Sequence, residues 1–112
     1  MATGSGLVYG PQGQTPASLL ALAGYLELSL EEGKCVVMMR HDTEVCSVYI
    51  GIVTGEDDEL TGHGAIAVAV ADEILELTQA GVNRMTVGEE TYRFVRSFTH
   101  IGDVGAVVFA PA

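Results

Sequence analysis

Residues 34–53, KCVVMMRHDTEVCSVYIGIV, decide how this chain folds. Two runs rich in Val, Ile and Met, 34–40 and 44–53, flank the polar break His41-Asp42-Thr43-Glu44. That is the pattern of two antiparallel strands joined by a tight turn. A two-residue turn at Asp42-Thr43 sets His41 against Glu44. In that register Cys35, Val37, Met39, Cys46, Val48, Ile50 and Ile52 share one almost wholly apolar face. Lys34, Val36, Met38, Arg40, Val45, Ser47, Tyr49 and Val53 take the other, because side chains alternate along a strand. The second face is itself only weakly polar, so both sides of the sheet call for cover.

Working outward, a second hairpin follows. Residues 82–87 and 90–99 flank Gly88-Glu89, and glycine at the first turn position suits a type II′ turn. Met85, Val87, Tyr92, Phe94 and Phe98 then face one way, and Arg84, Thr86, Thr91, Arg93, Ser97 and Thr99 the other. Gly102-Asp103-Val104-Gly105 turns the chain into a last strand, 106–110, which Pro111 ends.

Two helices separate these groups. Thr15 reads as an N-cap with Pro16 at the first helical position, where a missing N–H is harmless. Leu19, Leu22, Ala23, Leu26 and Leu30 recur at helical spacing, and Gly33 is the natural stop. Leu20, Tyr25 and Leu28 lie off that face, so this helix is apolar over much of its girth. Residues 54–64, TGEDDELTGHG, read as a loop, and residues 65–79 as the second helix. Ile66, Val70, Ile74 and Leu77 line one face of it, with Asp72, Glu73 and Glu76 opposite and Gly81 closing the end. Its first half, AIAVAVA, alternates as a strand would, but the alanines, the acidic second half and the terminal glycine favour helix.

The element order is therefore α-β-β-α-β-β-β. It predicts an α+β domain over residues 15–112, an antiparallel sheet of about five strands with two helices. Residues 1–14 hold four glycines, one proline and no charge, which predicts a flexible segment. Leu7, Val8 and Tyr9 are its exception, suited to a short edge strand. The order resembles that of the roadblock and profilin-like folds. No motif accompanies the likeness, so it implies architecture alone.

Charge narrows the function classes. Fifteen acidic residues stand against five basic ones, a net charge of −10, in a chain that is 48% hydrophobic. Such a surface repels phosphates, which argues against nucleic acid as a partner, and favours a basic protein. No basic residue precedes Lys34, and the apolar stretch 19–30 is broken by Gly24 and Glu27. Neither a leader nor a membrane span is expected, and a cytoplasmic location is. The two cysteines have no framework spacing. The hairpin register sets Cys35 roughly 14 Å from Cys46, beyond disulfide reach.

Catalytic patterns are weak. His41, Glu44 and Cys46 point to one side of the first hairpin and could form an imidazole-activated thiol, although Cys46 sits among core aliphatics. Glu56, Asp57, Asp58 and Glu59, near His63, lack the spacing of a calcium loop. No phosphate loop or dinucleotide fingerprint occurs, and no motif implies a cofactor or a metal. The basic residues are more informative. Lys34, Arg40, Arg84 and Arg93 take the outer parity of their strands, together with Met38 and Tyr49, while Arg96 alone takes the inner one. An apolar patch rimmed with arginine has the composition of a protein–protein interface. The expected function is a small non-enzymatic interaction module of the adaptor, chaperone or neutraliser kind. Homodimerisation is its expected first contact. The alternatives are an enzyme or enzyme subunit using His41 or His63, and an acidic ion-binding protein acting through residues 56–59.

Overall fold

The computed structural model describes residues 6–9, 16–53 and 59–112. The elements are β1 (Gly6–Tyr9), α1 (Ala17–Glu32), β2 (Cys35–Met39), β3 (Val45–Ile52), β4 (Glu59–Ala67), α2 (Val68–Leu77), β5 (Gly81–Val87), β6 (Glu90–Ile101) and β7 (Val104–Pro111). One sheet takes them in the order β1-β5-β6-β7-β2-β3-β4. The strands from β2 to β7 pair antiparallel, and β1 adds parallel to β5 at one edge. This is the α+β architecture read from the sequence, with six antiparallel strands rather than five and the short N-terminal strand in the edge position.

The additional strand is β4, and it corrects two expectations. Residues 59–64 are not loop, and the alternating AIA of residues 65–67 is strand rather than helix. Without β4, the eight residues of β3 would present an unpaired edge. Completing that ladder outweighs the helical preference of two alanines. The pairing passes a bulge: Tyr49 faces Gly62 and Val48 faces Gly64, which leaves His63 without a partner. Gly64 turns there with φ 139°, a conformation that side chains rarely adopt. Gly51 lets the strands close together, since a Cβ on it would run into the carbonyl oxygen of Glu59.

The first hairpin corrects a third. Met38 faces Val48 and Met39 faces Ser47, one residue out of the register that a two-residue turn would give. The cause is Asp42, whose carboxylate accepts the N–H groups of Glu44 at 2.7 Å and Val45 at 2.9 Å. Those two bonds hold its carboxyl below the usual carboxylate range and widen the turn. A one-residue slip exchanges the faces of β2. Val36, Met38 and Arg40 therefore join Cys46, Val48 and Ile50, and Cys35, Val37 and Met39 join Ser47 and Tyr49. The second hairpin keeps its expected register, with Val87 facing Glu90 and Met85 facing Tyr92.

Both helices lie on one face of the sheet. Leu19, Leu22 and Leu26 of α1 and Ile74 of α2 form a single core with Val36, Ile50, Met85, Phe94 and Phe109. The α1 stripe is rotated from the expected one, so that Leu30 is 48% exposed while Ser18 and Ser29 are buried. The serine hydroxyls are satisfied: Ser29 donates to the Leu26 carbonyl at 2.8 Å, and Ser18 to the Glu73 carboxylate of α2. Gly33 ends α1 in the left-handed region, with Lys34 N–H returning to Ser29 O at 2.8 Å. Thr15 lies outside the described residues, and Pro16, just before the first helical residue, accepts the N–H groups of Leu19 and Leu20.

The C-terminus of α2 is capped from the sheet. Arg96 Nη1 donates to the carbonyls of Leu75 and Thr78, each at 2.9 Å, and to Thr78 Oγ1 at 2.8 Å. A guanidinium there answers both the free carbonyls and the negative end of the helix dipole. Among the described residues, no helix is long and apolar enough to cross a membrane.

Candidate interaction surface

With both helices on one side, the other face of the sheet is covered by no helix among the described residues. Its centre is nevertheless dry. Val37, Met39, Ala106 and Val108 are buried, sealed by Cys35, Tyr49, Val53, Leu60, Ile101 and Val104 around them. A groove crosses this face between Cys35 and Val53 on one side and Ser97 and Thr99 on the other, over Val108 and Ala110. The partly exposed rim of this groove, not its sealed centre, is the area available for contact.

Among the described strand residues, the charged side chains of this face are two arginines. Arg84 on β5 and Arg93 on β6 are direct cross-strand partners, and both are exposed. Among the described residues neither forms an ion pair with a carboxylate; the pairs formed are Lys34–Glu32 at 3.3 Å and Arg40–Asp72 at 4.0 Å. Beside them Thr86 and Thr91 share a hydroxyl contact of 3.1 Å. In a chain of net charge −10, the described residues around this pair are locally basic.

The structure splits the six residues expected to share a surface. Tyr49, Arg84 and Arg93 lie on the helix-free face. Lys34 is tied to Glu32 at the end of α1. Arg40 leans toward Asp72 of α2, and Met38, only 4% exposed, is in the core between helices and sheet. Their removal from the surface follows directly from the slipped register of β2. The opposition of Arg84 and Arg93, in contrast, is already implied by the Gly88-Glu89 turn.

The other candidate groups are dispersed. His41 Nε2 meets Tyr49 Oη at 3.2 Å on the helix-free side, while Cys46 is buried on the helix side. Burial pushes the Cys46 thiol up, away from the thiolate a nucleophile needs, and Cys35 is shifted the same way for the same reason. Both cysteines are free and lie on opposite faces. His63 occupies the bulge in the edge strand β4. Glu56, Asp57 and Asp58 lie outside the described residues, and Glu59 begins β4.

Sequence reading missed the exposure of Phe98, which stands 70% exposed on the helix side. The lengths of the observed elements account for it. A strand of 12 residues such as β6 runs about 40 Å, whereas a 10-residue helix such as α2 covers about 15 Å. The end of β6 therefore projects past its cover.

The chain matches no protein-family model, no curated protein and no solved structure.

Proposed function

We propose that this chain is a small non-enzymatic protein–protein interaction module, of the adaptor, chaperone or neutraliser kind, that binds through the helix-free face of its sheet. One observation carries the reading: two exposed arginines directly opposed across β5 and β6, with no carboxylate ion pair of their own among the described residues. Like charges opposite one another weaken a strand pair, so the arrangement does nothing for the fold. It does suit a carboxylate brought from outside, because two guanidinium forks converge on one anion. The apolar rim at Cys35 and Val53 supplies the desolvated part of the contact.

The partner is accordingly a protein segment with apolar side chains flanked by aspartate or glutamate. The basic partner suggested by net charge would belong to the acidic helices instead. Two free cysteines fit a reducing, cytoplasmic setting.

A peptide library displayed against the intact protein tests this. Enriched peptides should be acidic and apolar, and the Arg84→Ser/Arg93→Ser variant should lose about tenfold or more in affinity for them. Enrichment of basic peptides, or equal binding by the double variant, would overturn the reading.

A further inference from the structure

The exposed Phe98 is held in place. Its ring lies over Gly105, where an added Cβ would come within 3.4 Å of Phe98 Cζ, and meets the His100 ring edge-on at a centroid distance of 6.3 Å. Beside it a groove opens between α2 and the β6–β7 hairpin. Phe98 itself forms one wall, with Cys46, Ala71, Leu75 and Val107 around the rest and Met38 at the base, so an entering ring would lie against it. The space measures about 170 Å³. Dry apolar cavities of about 150 Å³ accept benzene, so a phenyl ring fits.

We propose that two copies of this chain pair about a two-fold axis beside α2, each Phe98 entering the groove of the other. A bulky aromatic and an apolar hole on the same small surface are what an isologous interface needs, because every contact is made twice. The aromatic is the anchor and the small residue Ala71 makes room for it. The rim supports the same occupant. Arg40 and Asp72 stand 4.0 Å apart at the mouth of the groove, each side chain 56% exposed. Across a two-fold axis each Arg40 meets the other copy's Asp72, so neither charge is left unpaired as water leaves. The helix-free face lacks this property, since Arg84 and Arg93 would meet their own kind. This inference does not rest on the proposed function, although Phe98 also borders the groove of the helix-free face.

The two surfaces also respond oppositely to salt. Copies carrying −10 each repel at long range, so screening strengthens their pairing, whereas it weakens capture of an acidic segment by Arg84 and Arg93.

Sedimentation equilibrium of the full chain, over a concentration series at low and high salt, is the test. The mass should pass from 11.7 kDa to twice that value, at lower concentration when salt is high. Phe98→Ser should remain monomeric with an unchanged circular dichroism spectrum, since the side chain is mostly exposed. Arg40→Asp and Asp72→Arg should each weaken pairing about tenfold, and the combined exchange should restore it. Arg93→Ser should leave the mass unchanged. A monomer at every concentration up to millimolar, a dimer that survives Phe98→Ser, or a charge exchange without rescue would each overturn the proposal.

Discussion

Val36 and Val37 are consecutive residues of β2, both fully buried, yet they are buried by different things. Val36 lies beneath the helices in the larger core, in company with Leu19, Leu22 and Phe109. Among the described residues, Val37 is covered by Cys35, Tyr49 and their neighbours on the helix-free face. A face closed by another layer contributes stability and, beneath that layer, has no area left to offer. A face closed by its own rim keeps that rim available, and there the chain places two arginines with no ion-pair partner among the described residues.

The same truncation on the two faces sharpens this contrast most. Val36→Ala opens a hole that a packed helix layer relaxes into only partly, and should destabilise by about 2–3 kcal/mol in denaturant titration. Val37→Ala, whose neighbours can settle inward, should destabilise by about 1 kcal/mol. Equal losses would mean that the two faces are equally covered.

Next in size is the cap on α2. Arg96→Met keeps the aliphatic stem but strands the carbonyls of Leu75 and Thr78, for a loss of about 2 kcal/mol by thermal or chemical unfolding. No change would show that water satisfies those carbonyls equally well.

A smaller effect is read through pH. Tyr92 Oη donates to Glu27 Oε2 at 2.6 Å, and burial together with that carboxylate pushes its phenol up to about 12. Since the folded value lies above the unfolded one, the contribution is complete below pH about 10 and is lost as pH rises toward 12. Stability should therefore fall over that window, and Tyr92→Phe should flatten the decline. An unchanged slope in the variant would assign the alkaline loss to other groups.

The two hairpins show what was legible in the sequence. In the second, Gly88 marks the turn position directly, and every cross-strand partner follows from it. In the first, the turn is set by the Asp42 carboxylate bonding to two backbone N–H groups, and composition does not distinguish that from a two-residue turn. The single-residue difference moved Met38 and Arg40 off the face that Tyr49 occupies. That half of the expected group therefore lies across the sheet from Tyr49, while Arg84 and Arg93 oppose one another as the Gly88-Glu89 turn implies. Residues 65–67 were ambiguous for another reason: alternating Ala and Ile satisfies both periods, and the free edge of β3, a tertiary fact, decided between them. Likewise, which face α1 covers depends on packing across the whole sheet, which no local window contains.

The central claim is that Arg84 and Arg93 serve a partner and not the fold. The most direct measurement follows one variant, Arg93→Thr, in both thermal unfolding and binding to the acidic peptides. Removing a like-charge cross-strand neighbour should leave stability unchanged or raise it by about 0.5 kcal/mol, while affinity falls. A variant that melts lower and still binds as tightly would contradict the account, because Arg93 would then belong to the structure alone.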